Sequence, residues 1–377
     1  MSKRLLMSFA LTIALTATAL AQTQTVEVLD GLDPVLLAQG KEVQGELQIA
    51  VTRGQFKYLF ATAENKVSFE QDPARYEIQL DGACARMGAP VTGNPNLFTV
   101  YKGRVYIFGS DGCKKLFDAA PEKYLETAGG ASAKPPATPE ALKKGEALIE
   151  KAVAAMGGAA RLDGLTSYHE KSTAIQTRGR GDVEVKNDLL IVFPDRVRHE
   201  QVMPDFRDQS VMMRPVTIIT PGESFGVGGP RGVFQVPKAY RDAEEQAIRR
   251  RPVSLLRARS HAGFKAVALG ADKVGETTVE QVAVESEGGS CVLGIDPATG
   301  RILSLALRRR GQQGEFGQFV QTFSDFRTVD GLTLPFKVTA TFNGQPWKDQ
   351  SATVEEIIIN GKVDPALFEK PKAEKPQ

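Results

Sequence analysis

Sulfur is the first chemistry the chain offers. Cys84-Ala-Arg-Met87 sets a thiolate and a thioether within four residues, and Cys113 supplies a third sulfur. Soft ligands of this kind favour Cu(I) over hard cations. No histidine precedes His169, so this region cannot complete a zinc site of the usual mixed type. Cys84 and Cys113 also suit a disulfide, or two buried thiols, and the sequence leaves the three readings open. Cys291, in an apolar run before a turn, reads as a buried free thiol.

A second candidate is Gly222-Glu-Ser224-Phe-Gly226, which matches the G-x-S-x-G nucleophile elbow and follows an apolar strand. The elbow needs a helix directly after its serine, whereas this chain runs on as Gly226-Val-Gly-Gly-Pro230. His261 is the one histidine downstream, and Asp242 the one aspartate between them. A serine hydrolase at Ser224 therefore ranks last among the functional readings. The same glycines miss G-x-G-x-x-G because Arg231 takes the last glycine place. His169, His199 and His261 are scattered, with no H-E-x-x-H helix, and read as structural or surface residues. Arg249-Arg-Arg251 and Arg308-Arg-Arg310 read as solvated faces. The alternative for Arg249, Arg250 and Arg251 is contact with an anionic membrane surface or an acidic protein.

The elements that must position these residues begin with a repeat. Tyr58, Phe60, Lys66, Phe69, Pro73 and Tyr76 recur as Tyr106, Phe108, Lys114, Phe117, Pro121 and Tyr124, and Thr62 matches Ser110. The spacing predicts one small unit used twice. A short strand alternates its side chains, a hydroxyl caps a helix, a phenylalanine returns to the core, and proline ends the turn. Neither copy can bury its aromatic face alone, so the pair is expected to form one domain. Residues 127–139 are small, then glycine- and proline-rich, and read as a linker. Thr138 and Pro139 are placed to start a helix whose apolar stripe is Leu142, Leu148, Ile149, Ala152, Val153 and Met156, ended by Gly157-Gly158. From Thr166 strand patterns follow one another across short polar turns, including Asp296-Pro-Ala-Thr-Gly300, Asp330-Gly331, Asn343-Gly344 and Asn360-Gly361. That pattern predicts an antiparallel sheet. A helical stretch near Tyr240–Arg259, broken at Pro252, is available to cover its apolar face.

Two resemblances follow. Residues about 31 to 125 resemble the YHS domain, through Asp33-Pro34-Val35, Gly40-Lys41, Glu64-Asn65, Asp72-Pro73, Gly82-Ala83-Cys84-Ala85 and Lys102-Gly103-Arg104-Val105-Tyr106. Some members of that group carry Phe-Cys-x-x-x-Cys after the strand. Here the first copy has Ala61 and Asn65 at those places, and the second has Gly109 and Cys113, so the paired-thiolate site is incomplete. Residues about 140 to 371 resemble the periplasmic lipoprotein carriers of the LolA/LolB type. That resemblance rests on Met156-Gly-Gly-Ala, Leu165-Thr-Ser167, Phe193-Pro194-Asp195-Arg196, the Asp296–Gly300 hairpin and Ile359-Asn-Gly-Lys-Val-Asp364-Pro-Ala-Leu-Phe368. It implies a curved sheet, a half-barrel covered by helices, with an apolar interior suited to a lipid-like ligand. A filled core that serves as a scaffold is the competing reading.

Composition and the first residues bound the rest. Lys3-Arg4, the apolar run to Leu20 and Ala19-Leu-Ala21 read as a secretory signal peptide over residues 1–21; an uncleaved anchor is the alternative. Of 377 residues, 47 are Lys or Arg and 45 are Asp or Glu, and setting aside Lys3 and Arg4 balances the charges. Such a balance argues against a nucleic-acid partner. The expected protein is a soluble periplasmic α+β chain. It has a YHS-like domain at 22–126, the linker at 127–139, the carrier-like sheet at 140–371 and a polar tail at 372–377. The leading expectation for function is non-enzymatic binding of an apolar ligand, with no cofactor. Copper handling through Cys84, Met87 and Cys113 is the runner-up.

Overall fold

The computed structural model describes residues 25–88, 91–125, 137–178, 181–204, 211–228 and 232–371. The segment read as a signal peptide, linker residues 127–136 and the tail at 372–377 lie outside the described residues. The chain divides into two compact units, residues 1–77 and 78–377.

The first unit holds β1 (Val26–Glu27), α1 (Pro34–Leu37), β2 (Glu46–Arg53), β3 (Phe56–Phe60), α2 (Ala63–Gln71) and α3 (Pro73–Tyr76). Its sheet runs β1-β3-β2. Thr62 caps α2 by accepting from the Asn65 N–H at 3.2 Å. Phe69 on α2 is buried, with its ring 4.8 Å from Tyr58 and 5.2 Å from Phe60. The alternation along β3 therefore determines which aromatic rings meet the helix.

The second unit opens with the second copy: β4 (Asn94–Tyr101), β5 (Arg104–Phe108), α4 (Asp111–Ala119) and α5 (Pro121–Tyr124). Ser110 caps α4 as Thr62 caps α2, and Phe117 packs 5.5 Å from Tyr106 and 5.1 Å from Phe108. The repeat read from the sequence is thus a repeat of structure.

There follow α6 (Pro139–Met156), α7 (Ala159–Asp163), β6 (Ser167–Arg178), β7 (Gly181–Val192), β8 (Arg196–Pro204), β9 (Val211–Met213), β10 (Val216–Ile219), β11 (Ser224–Val227) and β12 (Val233–Gln235). Next come α8 (Lys238–Arg249), α9 (Pro252–Arg257), β13 (Lys265–Val274), β14 (Thr277–Ser286), β15 (Gly289–Ile295), β16 (Ile302–Arg310), β17 (Phe316–Val329), β18 (Leu332–Phe342), β19 (Gln345–Pro346) and β20 (Ala352–Ile359). The main sheet is antiparallel, in the order β12-β11-β10-β8-β7-β6-β20-β18-β17-β16-β15-β14-β13, with β19 beside β18 and β9 beside β8. It is unclosed. It is also strongly curved, because α6 packs against β13 and β14 and also against β18, five steps along the sheet from β13.

The first helix of this region is built as its sequence predicts. Thr138 accepts from the Ala141 N–H at 3.2 Å, and Leu148, Ile149, Ala152, Val153 and Met156 are buried. Gly157 ends it at φ 132°, where an added Cβ would lie 2.3 Å from the Gly331 carbonyl oxygen. The apolar stripe joins Leu165, Tyr168, Leu189, Ile191, Leu255, Leu256, Leu293 and Leu305 in one packed core on the concave side. The predicted turns at Asp330-Gly331, Asn343-Gly344 and Gly300 all carry left-handed residues. Among the described residues, no helix is long and apolar enough to cross a membrane.

Candidate functional site

The two copies of the repeat use one position in two ways. Leu29-Asp30-Gly31 precedes Asp33 much as Leu80-Asp81-Gly82 precedes Cys84, and each tripeptide is left-handed throughout. In the first copy Asp33 is buried, and its Oδ2 accepts from the Asn65 side chain at 2.7 Å and from the Ala61 N–H at 2.8 Å. In the second copy Cys84 takes the place of Asp33 and Cys113 that of Asn65. Cys84 is buried, and its thiol lies within hydrogen-bonding reach of Cys113.

Cys113 sits in the first turn of α4 and donates its N–H to Ser110 Oγ at 3.3 Å. Arg86 Nη1 donates to Met87 Sδ at 3.1 Å and to Cys113 Sγ at 3.9 Å. Burial alone would raise the Cys113 thiol. The Ser110 hydroxyl, the Arg86 guanidinium and the Cys84 thiol outweigh it and hold the group below the usual thiol range. The three sulfurs read from the sequence are therefore brought to one place, with both cysteines as free thiols and no disulfide between them. The guanidinium sits on two of the three sulfurs. A Cu(I) ion would have to displace it against like charge. Among the described residues no group of three or more His, Cys, Asp or Glu is arranged to hold a metal ion. Arg310 Nη1 fastens this turn to the end of β16 by donating to the carbonyls of Ala85 (3.3 Å), Arg86 (2.9 Å) and Gly314 (2.9 Å).

The second cluster lies on the concave face of the sheet. Tyr168 and Glu170 on β6, Leu189 and Ile191 on β7, and Val197 and His199 on β8 share that face by register. Glu170 is buried and pairs with Arg251, which stands between α8 and α9; Tyr168 donates to the same carboxylate oxygen at 2.6 Å. Burial would raise Glu170, but the Arg251 charge and the Tyr168 hydroxyl hold it below the usual carboxylate range. Burial, with Arg251 adding to it, drives His199 down to about 4, so its ring is neutral at pH 7. The arginine run is thus not a single charged surface. Arg249 pairs with Glu245 at 3.5 Å and Glu287 at 3.7 Å, Arg250 donates to the Gly288 carbonyl at 2.7 Å, and Arg251 turns inward to Glu170. The break between the two helices sends three consecutive side chains three ways.

The G-x-S-x-G serine is not poised for catalysis. Ser224 begins strand β11 rather than a turn into a helix, and it is buried. Its Oγ donates to the Val236 carbonyl at 3.3 Å. His261 faces Glu287 at 3.6 Å, and His169 meets Asp188 at 2.7 Å. Cys291 is a buried free thiol, pushed up by burial to about 12, as its apolar setting suggests.

The sequence reading placed Arg309 in a solvated run and passed over Trp347, but Arg309 is half-buried against aromatic rings. The Arg309 guanidinium lies 4.9 Å from the Phe319 ring centroid and 5.3 Å from that of Trp347. The signal was present: Leu305, Leu307 and Arg309 occupy one face of β16, so the charge sits in the apolar phase of its strand.

A family model described as the YHS domain matches residues 88–128. No curated protein matches the chain. Among solved structures the chain is similar to a putative outer membrane lipoprotein-sorting protein domain from Vibrio parahaemolyticus, at 11% identity, 61% of this chain, 97% of that chain and TM-score 0.38. It is similar to a DUF1329 family protein from Desulfovibrio piger, at 13% identity, 60% of this chain, 97% of that chain and TM-score 0.40. A LolA superfamily protein from Nitrosomonas europaea matches at 9% identity, 60% of this chain, 97% of that chain and TM-score 0.39. The YHS resemblance read from the sequence is found again over residues 88–128, which hold the second copy of the repeat.

Proposed function

We propose that the protein is an exported, non-catalytic periplasmic binding protein whose half-barrel takes up a lipid-like apolar ligand. The observation that carries this reading is the way α8 covers the concave face. None of its described residues is fully buried, whereas α9 buries Val253, Leu255 and Leu256. Polar contacts tether α8 instead: Arg241 donates to the Thr220 carbonyl at one end, and Arg250 to the Gly288 carbonyl at the other. Arg251, at its junction with α9, pairs with Glu170. An element with few buried apolar contacts opens at lower cost than the core beneath it. The apolar core is packed, so a ligand enters by displacing such a cover. The basic start and apolar run of residues 3–21 support export.

Native mass spectrometry of the protein purified from periplasm, beside denaturing spectra, tests this reading. The expected result is extra mass that is lost on denaturation and identified as lipid. A bare polypeptide from lipid-containing periplasm that also fails to take up added acyl chains would overturn it. Copper mass would instead direct attention to Cys84, Met87 and Cys113.

A further inference from the structure

We propose that Arg250 and Arg309 bind the anionic headgroup, a carboxylate or phosphate, of an amphipathic ligand at the mouth of the half-barrel beneath α8. This rests on the carrier reading above and names the head of its ligand.

The geometry begins with register. Arg309 pairs with Gly317 on β17. On its other side β15 runs antiparallel to β16, paired from Val292↔Ala306 to Ile295↔Ile302, so Gly289 at the start of β15 and Arg309 near the end of β16 lie at the same end of this strand pair. The Phe342 and Asn343 side chains occupy the place a Gly317 Cβ would take, and the Arg309 guanidinium lies against the Phe319 and Trp347 rings. Arg250 reaches the same place from the end of α8. Its Nη1 donates to the Gly288 carbonyl at 2.7 Å and stands 3.4 Å from where a Gly289 Cβ would be. Two guanidiniums thus stand at one end of the β15–β16 pair.

Neither is neutralised by a close partner. Among the described residues neither forms a salt bridge, and their hydrogen bonds go to neutral oxygens, the Gly288 carbonyl and Gln350 Oε1 at 3.1 Å. Burial disfavours the charge on both, and Arg250 disfavours it further on Arg309. Glu244 on α8, which feels Arg309, is itself pushed up by burial toward its neutral form. Trp347, against Arg309, has a buried Nε1 with no hydrogen-bond partner. Two half-buried cations and an idle donor at one end of this strand pair are an unfavourable arrangement alone. An entering anion offsets it, because guanidinium forks match carboxylate and phosphate oxygens. The chain direction is set as well: Leu305 and Leu307 lead along the concave face to Arg309, an apolar track ending in a cation.

Trp347 is the single tryptophan of the chain, so its emission reports on this site. The test titrates the full mature protein, stripped of lipid, with dodecanoate, dodecanol and inorganic phosphate. It is repeated on Arg309→Gln, Arg250→Gln and the exposed control Arg327→Gln, with thermal melts confirming the fold. Dodecanoate should bind about tenfold or more tightly than dodecanol. Each of the first two variants should erase that preference and keep dodecanol binding, and the control should change neither. Equal binding of the two amphiphiles by the parent overturns the anion site and leaves the carrier reading standing. That comparison needs no variant, so a variant that does not fold cannot shelter the proposal. A preference that survives both substitutions overturns the site as well. Phosphate binding that is lost in Arg309→Gln, with neither amphiphile bound, keeps the site for a free anion and overturns the carrier reading. No response to any of the three overturns both.

Discussion

A thiol in the first turn of a capped helix, beside a guanidinium, is a different reagent from a thiol in a buried strand. Cys113 is held below the usual thiol range and is partly exposed, while Cys291 is buried and pushed up to about 12. Because the thiolate is the nucleophile, iodoacetamide at pH 7.5 should modify Cys113 at least about tenfold faster than Cys291, as read by peptide mass mapping. Arg86→Gln should slow Cys113 and leave Cys291 unchanged. Equal rates for the two cysteines would refute the assignment. His199 gives a second expectation. The folded protein keeps it neutral down to about 4, while the unfolded chain takes up its proton near the ordinary 6.5. Unfolding therefore binds a proton below pH 6.5, and stability falls as the pH drops from 6.5 toward 4, by roughly 2–3 kcal/mol in all. Urea unfolding at pH 7 and pH 4.5 should show a smaller loss for His199→Gln than for the parent; identical slopes would count against it. The sulfur set was legible because its members are rare and close in sequence. Arg86 was not, because only the turn at residues 84–88 folds its side chain back onto Met87. The match of Asp33 with Cys84 was hidden too, since that part of the repeat is shifted by three residues relative to the Tyr58 and Tyr106 pairing.

At the scale of elements, the approach of α6 to the sheet depends on one missing side chain. Gly145 lies inside α6, and a Cβ there would stand 2.5 Å from the Ala266 carbonyl oxygen on β13. Two effects oppose each other in Gly145→Ala. Helix propensity favours alanine by about 1 kcal/mol, while overpacking against a backbone atom costs about 1–3 kcal/mol. The obstacle is backbone and cannot rotate away, so packing wins. The variant should lose about 1–2 kcal/mol by urea midpoint, and a stabilised variant would show that α6 yields freely. Caps and stripes made α6 readable from sequence, through Thr138, Pro139 and Gly157. Strand bounds are least legible where alternation is broken. β6 sets Glu170 and Ser172 on its core side, where apolar residues would be expected. β11, within the G-x-S-x-G motif, is only four residues long.

For the whole molecule, the sequence indicated the order of parts and the kind of sheet, because turn residues and strand patterns repeat along the chain. It could not indicate how far the sheet bends. That depends on α6 meeting β13 and β18 at once, a long-range contact with no local signature. Nor could it indicate that Arg310, read as one member of a basic run, binds the backbone of the second repeat copy. The open sheet has a further consequence. A half-barrel that never closes leaves β12 and β13 as free borders, and a free border invites another chain to add itself in register. Here β12 is only three residues long. β13 is longer, but it bulges between Ala268 and Gly270 and exposes Asp272 and Lys273 beyond that break. Brevity on one side, irregularity and charge on the other, let the molecule keep an open mouth without becoming a template for fibrous growth.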